Sequence, residues 1–259
     1  MAKAIILDID GVIVGEKIGF NSPNPHSDVT ARLKEIRASG IPIILSTAKP
    51  HFAIGSIIEP AALSNPHITD GGAVLINHIT REITTKHIIP TDSALQVLSA
   101  MLRSQIYVEF YTVDDYFLQR DQISETTKKH THILQREPQL VEGLLEAAKD
   151  QEITKIMPVT EDETGKKPVT EIFELLHSDL VLSWGIHPVA LPRQFGIITA
   201  PGISKREGAI EILRSLDISF ANTLGVGDSS SDWQFIELCQ YGAAVGNASE
   251  ELKKLVTSK

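Results

Sequence analysis

The sequence predicts an α/β fold: a doubly wound, Rossmann-like parallel sheet that carries an inserted α+β cap. Three observations lead there. Apolar runs without alternation recur near both ends of the chain, separated by stretches of helical periodicity. Asp, Thr or Gly follows directly on those runs, at the carboxyl ends of strands where open α/β sheets bind their ligands. Between the two sets, polar and apolar residues alternate instead.

The first run, Ala4-Ile5-Ile6-Leu7, reads as a strand buried on both faces and leads into Asp8-Ile9-Asp10-Gly11. In an extended chain Asp8 and Asp10 share one side, and Gly11 permits a sharp turn after them. Residues 12–20 can form a short hairpin, followed by a polar, proline-bearing loop over 21–27. Val29, Leu33 and Ile36 mark one face of a helix that stops at Gly40. Residues 41–45 are the next buried strand, with Pro42 tolerated near its start, and they end in Ser46-Thr47-Ala48-Lys49. A helix over 52–59, a strand end and glycine turn over 67–73 and a strand over 74–77 complete a β-α-β-α-β half.

Near residue 80 the pattern changes. Residues 82–89 alternate, a helix is expected over 93–103, and 106–111 alternates as a half-exposed strand able to pair with 116–118. A polar, His-bearing stretch occupies 119–135. Then come a helix (140–149), a strand (153–159), a helix (169–177) and a strand (180–186), an α+β unit whose antiparallel sheet has an open face. From about Ile197 the buried pattern returns. Ser204 can cap a helix bearing Ala209, Ile212, Leu213 and Leu216. Residues 223–227 form a strand, a helix runs through Trp233 and Ile236, 242–245 is a last strand, and Asn247 can cap the C-terminal helix. The reading is a split core, residues 1–82 and 196–259, around a cap of residues 83–195, with the cleft between them as the default site.

The chain has 259 residues, 42% hydrophobic and 22% charged, with a net charge of -9. That balance argues against nucleic acid as the main partner, although an acidic enzyme handles phosphate esters where local cations and a metal outweigh the global field. Cys239 is the only cysteine, so neither an intrachain disulfide nor a cysteine zinc site exists. The first apolar run is too short for a signal peptide, and no apolar stretch approaches the ~20 residues that span a membrane. The expected compartment is the cytoplasm; monomer and homodimer are both compatible with the sequence.

Asp8 and Asp10 repel each other unless a cation or a shared proton relieves them. They read either as a solvated strand end with an Asp-Gly turn or as a metal-assisted site with one Asp as nucleophile and the other as acid/base. Thr47 is either a structural cap or a hydroxyl that, with the next backbone N–H, holds a phosphoryl oxygen. Lys205 sits at a helix start, where the macrodipole disfavours a cation, and reads as a surface residue or as a phosphate ligand that balances Asp8. Gly227-Asp228-Ser229-Ser230-Ser231-Asp232 brings two more carboxylates to a strand-to-helix turn. Capping explains one of them; a hard divalent cation such as Mg²⁺, which takes oxygen ligands, explains both.

These four segments, in this order, resemble the haloacid dehalogenase-like (HAD) hydrolase superfamily: Asp-x-Asp-Gly at residues 8–11, the run ending in Thr47, Gly-Ile-Ser-Lys at 202–205 and Gly-Asp-Ser-x-x-Asp at 227–232. The place of the insertion and the lysine segment point to the Cof-type group, subfamily IIB. The resemblance covers the whole chain. It implies a phosphatase acting on a small phosphate monoester, a sugar phosphate or related metabolite, with Asp8 as the nucleophile that becomes an aspartyl-phosphate and Asp10 as the acid and base. Thr47, the Ala48 N–H and Lys205 would hold the phosphoryl group. Asp8, the Asp10 backbone carbonyl and Asp228 would bind Mg²⁺, with Asp232 acting through water or orienting Lys205. A phosphotransferase or mutase, and a non-catalytic binder of phosphorylated metabolites, are the alternatives on the same fold. Three positions depart from the pattern: Ala48-Lys49 stands for Gly-Arg, Ser231 for Asn, and Asp70-Gly71-Gly72 for Asn-Gly.

Other residues keep the plainer reading. His130 and His132 belong to a solvated loop rather than a metal pair, since no third ligand is evident. Trp184, Tyr111 and Tyr116 are cap–core packing rather than a sugar platform. Lys166-Lys167 is a surface turn.

Overall fold

A computed structural model describes residues 2–176 and 179–259. In chain order these residues form β1 (Ala4–Leu7), α1 (Ser27–Ala38), β2 (Ile43–Leu45), α2 (Gly55–Ala61), β3 (His67–Thr69), β4 (Val74–Asn77) and β5 (Glu82–Lys86). There follow α3 (Thr91–Arg103), β6 (Tyr107–Tyr111), β7 (Tyr116–Gln119), α4 (Glu125–Leu134), β8 (Gln139–Val141), α5 (Leu144–Ala148), β9 (Lys155–Thr160), α6 (Lys166–Leu175), β10 (Val181–Gly185) and β11 (Gln194–Thr199). The chain closes with α7 (Lys205–Ser215), β12 (Thr223–Gly227), α8 (Trp233–Ile236), β13 (Tyr241–Ala244) and α9 (Glu250–Thr257).

A parallel sheet runs β13-β12-β1-β2, and a bridge between Ser46 and Ile68 brings β3 alongside β2. The absence of alternation in the first run has a direct cause. Ala4 and Ile6 pack with α7 and α8 on one face, while Ile5 and Leu7 pack with α1 and α2 on the other. Ile44 against Ile43 and Leu45 repeats the division on β2. The sheet is therefore wound on both faces. β1 lies between β2, reached first, and β12, reached last, so its carboxyl end is the topological switch point.

The second sheet, β10-β11-β9-β6-β7-β8, is antiparallel except for the β7–β8 pair. Val108 and Phe110 face α3, α5 and α6, in a cluster with Leu98, Ile156 and Ile198. The face expected to be open is covered: Tyr111, Met157, Phe195 and Ile197 pack there with Ile133 and Leu134 of α4 and with Ala48, Phe52 and Ala53 from the other sheet's loops. β6 is accordingly buried on both faces, not half-exposed. The cause is α4 itself, which the polar stretch 119–135 contains: Ser124 and Thr127 form a reciprocal capping box, and few apolar residues signal the helix.

Smaller differences follow from tertiary pairing. The 140–149 segment begins as β8 on the edge of the sheet and becomes helical only at Leu144. β5 pairs with β4, and β11 lies wholly in the second sheet, so both strands run across the boundaries expected at 82/83 and 195/196. α9 is capped by Ser249, because the Asn247 side chain instead donates to the Gly11 carbonyl at 2.8 Å. The expected end of the 169–177 helix, His177, lies outside the described residues. Among the described residues no helix is long and apolar enough to cross a membrane.

Candidate active site

The strand ends converge. A cavity between the two sheets is lined by Asp8, Asp10, Thr47, Ala48, Lys205 and Asp228, together with Ser231 and Gln234 from the parallel side and Ser183, Gly185, Ile186 and Ile197 from the antiparallel side. Asp232 lies behind, fully buried. Gly11 is required here on two counts: its φ is +84°, and a Cβ would overlap the Asp228 carboxylate.

Lys205 is the hub. Its Nζ donates to Asp8 Oδ1 and to Asp232 Oδ1, each at 2.8 Å. Ser204 caps α7 and so delivers Lys205 to the first helical position. Gly72, at φ +109°, lets the chain pass against the Ser204 carbonyl, where any Cβ would collide. The Asp70-Gly71-Gly72 departure thus has a packing reason. Asp232 uses its other oxygen to accept from the N–H groups of Asp228 and Ser229 at 3.0 and 3.1 Å, fixing the turn after β12. Ser231 shares a hydrogen bond with Ser229, Oγ to Oγ, at 2.9 Å.

The charges do not balance. Asp8, Asp228 and Asp232 place carboxylate oxygens within 4.8 Å of one another, and Lys205 is their ammonium partner. Burial, reinforced by Asp232, raises the Asp8 carboxyl well above its ordinary value despite Lys205. Burial and Asp232 likewise push Asp228 up to about 7. Desolvation would depress Lys205, but Asp232 and Asp8 hold it above the ordinary lysine value. A set of crowded oxygen donors with excess negative charge is what a hard divalent cation accepts, so the residues present fit Mg²⁺.

The loop after β2 is braced on nearly every polar atom. Thr47 donates its N–H to Ile68 O, its carbonyl accepts from Gly71 N, and the Lys49 carbonyl accepts from Asp70 N, each at 3.0 Å. The Lys49 N–H donates to Thr47 Oγ1 at 3.1 Å. Among the described residues the Thr47 hydroxyl proton and the Ala48 N–H have no acceptor. Two free donors therefore line the cavity that holds Asp8.

Asp10 is turned elsewhere. Its Oδ1 lies 2.8 Å from Lys49 Nζ and 3.1 Å from His187 Nε2. His187 Nδ1 accepts from Val189 N at 3.2 Å, which leaves the proton on Nε2 for Asp10. Burial pushes the Asp10 carboxyl up, but Lys49 and then His187 outweigh it and hold it well below the usual carboxylate range. In this arrangement Asp10 is an ionised base. To donate a proton it must first leave Lys49 and His187.

The structure thus brings together Asp8, Thr47, Ala48, Lys205, Asp228 and Asp232, and sets Asp10 beside them on a separate pair of partners. Sequence reasoning missed His187, which comes from the loop after β10 and carries no spacing signal, and saw Lys49 only as a departure from a pattern. His130 is no solvated residue: it is buried on α4, with Nδ1 2.8 Å from Glu109 Oε2. Tyr107 and Tyr111 donate to the two oxygens of Glu109 at 2.6 Å each. This network exists because α4 folds over the polar face of β6. Trp184 packs with the helical layer of the second sheet, whereas Tyr111 and Tyr116 pack between the sheets.

A doubly wound sheet with an acidic cluster and Lys205 at its switch point, covered by a second α/β unit, defines a capped α/β protein with its charged cleft between the two. The chain belongs to the haloacid dehalogenase-like hydrolases, whose family profile matches residues 5–258. It is 22% identical over 269 residues to the phosphatase YwpJ of Bacillus subtilis, covering 98% of this chain and 92% of that one. It is 23% identical over 265 residues to the pyridoxal phosphate phosphatase YbhA of Escherichia coli, covering 97% and 90%. Among solved structures, a haloacid dehalogenase-like hydrolase from Bacteroides thetaiotaomicron superposes with a TM-score of 0.82 at 19% identity, over 99% and 92% of the two chains. A HAD subclass IIB sugar phosphatase superposes with a TM-score of 0.80 at 23% identity, over 98% and 91%.

Proposed function

We propose that the chain is an Mg²⁺-dependent phosphatase that hydrolyses a small phosphate monoester, a sugar phosphate or related metabolite, through an aspartyl-phosphate on Asp8, beneath a cap formed by the second sheet and its helices. The observation that carries this reading is the Asp8 carboxylate held at 2.8 Å by Lys205 in a cavity also lined by Thr47 and Ala48, with their free hydroxyl and N–H donors. A nucleophile, a cation and two donors meet where a phosphoryl group fits.

An Asp8 oxygen attacks phosphorus as the bond to the leaving oxygen breaks, and that oxygen takes its proton from Asp10 once Asp10 has gained one and left its partners. Water then attacks the phosphorus, gives a proton to Asp10 and releases inorganic phosphate, restoring Asp8. Thr47, Ala48 and Lys205 stabilise the charge on the transferring group. Asp8, Asp228 and the Asp10 backbone carbonyl would hold Mg²⁺, which would supply positive charge against the phosphate dianion. Asp232 orients Lys205. The phosphatase names of the relatives support the ester class.

The test is phosphate release from a panel of sugar phosphates, pyridoxal phosphate, nucleotides and phospho-acids, with Mg²⁺ and with EDTA, for the wild type and Asp8→Asn. Release by the wild type with Mg²⁺ alone, and none from a folded Asp8→Asn, is expected. An active Asp8→Asn would remove Asp8 from the nucleophile's role.

A further inference from the structure

One ion pair in the cleft takes no part in the chemistry above. Lys155, at the start of β9, and Asp70, after β3, are both fully buried, with Nζ 3.3 Å from Oδ1. The same Nζ donates to the Ala48 carbonyl at 2.6 Å and lies 3.8 Å from the centre of the Tyr111 ring. Burying an ammonium and a carboxylate is expensive, and a stabilising core contact needs neither. The arrangement calls for another account.

The loop 47–49 supplies it. Of its three consecutive carbonyls, the outer two are held by backbone N–H groups of the turn after β3. The middle one, on Ala48, is held among the described residues by Lys155 alone, from the cap. That carbonyl belongs to the peptide whose N–H, on Lys49, donates to Thr47 Oγ1. Pulling on the oxygen of an amide polarises its N–H, so the hydrogen bond to Thr47 strengthens. With a lone pair occupied in this way, the Thr47 hydroxyl is left to donate, and its proton points to the next acceptor available. The relay runs from Lys155 through the 48–49 peptide to the hydroxyl that lines the phosphoryl site.

We infer that Lys155 is a positioning residue: it fixes the 48–49 peptide so that Thr47 acts as a donor to the phosphoryl group, and the cap thereby completes a binding loop that belongs to the parallel sheet. The inference rests on the phosphatase reading for the identity of the bound group. Asp70 holds the ammonium over the carbonyl, and the extra donor reaches the loop only with the cap seated on it.

The experiment is a double-mutant cycle on the full chain with Thr47→Val, Lys155→Met and the double variant. Orthovanadate, a phosphoryl mimic, is the binding probe by calorimetry with Mg²⁺, and phosphate release gives kcat and KM. Each single change is expected to weaken vanadate binding and kcat/KM by about 10–100-fold. The double variant should fall no further than Thr47→Val, because Lys155 acts through that hydroxyl. Lys155→Arg, which keeps donors at the carbonyl, should recover most of the loss. Multiplying losses in the double variant, or wild-type vanadate affinity in Lys155→Met, would overturn the inference, since a purely structural lysine acts independently of Thr47. If Lys155→Met does not fold because Asp70 is left unpaired, Asp70→Asn/Lys155→Met takes its place in the same cycle. Wild type that binds vanadate with a coupled cycle but releases no phosphate sinks the phosphatase reading alone. Release with an uncoupled cycle sinks the positioning role alone.

Discussion

Replacing Asp228 with Asn should stabilise the metal-free protein while removing its response to Mg²⁺. The reason is the crowding at the end of β12. Burial and the neighbouring Asp232 push Asp228 up to about 7 from 3.8. A carboxyl raised in the folded state favours folding while it is protonated, and that advantage disappears as pH rises through the folded value. At pH 8 the ionised group therefore costs about 4 kcal/mol, from roughly three pKa units at ~1.4 kcal/mol each, and at pH 5 under about 2 kcal/mol. Asn keeps the shape beside Gly11 and has no charge to desolvate. With about 2 °C or slightly more per kcal/mol for a chain of this size, the variant should melt several degrees above wild type in EDTA at pH 8, and the gap should shrink at pH 5. Adding Mg²⁺ should stabilise the wild type by about 2.7 kcal/mol at a hundredfold excess over Kd, raising its melting temperature, and leave Asp228→Asn nearly unmoved. Phosphate release by the variant should fall to the level of wild type in EDTA. An Asp228→Asn protein that melts no higher than wild type at pH 8, or that gains as much from Mg²⁺, would refute the unbalanced-cluster argument.

Two further outcomes follow from named contacts. Lys205→Met removes the ammonium shared by Asp8 and Asp232; turnover should drop by about 10²–10³-fold with the fold retained in Mg²⁺, and less than a tenfold loss in steady-state kcat would deny Lys205 a place at the phosphoryl group. His67 is buried with Nδ1 accepting from Leu45 N at 3.2 Å and Nε2 facing Leu63 O at 3.3 Å, a pattern that requires the neutral ring. Burial lowers it from 6.5 to about 4, so the unfolded chain gains a proton first as pH falls. Stability should therefore decline between about pH 6.5 and pH 4, by up to about 3 kcal/mol from this residue. Urea unfolding across that window checks it: His67→Asn, which can still accept from Leu45 N, should show a shallower decline, and an equal slope in both proteins would exclude His67 as the cause.

The parallel core was legible because its physics is local. Ile5-Ile6-Leu7 has apolar side chains on both sides because helices cover both faces, and that requirement is written into consecutive residues. Asp8, Thr47, Lys205 and Asp228 each stand at the end of such an element, so finding the element finds the residue. The second unit was less legible because its polar residues are buried by partners distant in sequence. Glu109 and His130 look like solvated positions until α4 lies over β6, where His130 Nδ1 comes to 2.8 Å from Glu109 Oε2 and two tyrosines donate to the carboxylate. β8 is a strand only because β7 offers it an edge.

The same division explains which parts of the site escaped notice. Every site group that reads from the sequence lines the cavity from the parallel sheet or lies behind it there. Those that do not read, His187 on Asp10 and Lys155 on Ala48, come from the cap and act on residues of the core. Each touches a core residue of the candidate site: Asp10, proposed above as the acid and base, in one case, and the 47–49 loop in the other. A cap that merely excluded water would have no need of a histidine on Asp10 or a buried lysine on a backbone carbonyl. Both contacts cross from the second sheet's unit to the core, so Asp10 and Ala48 each have one partner that belongs to the cap.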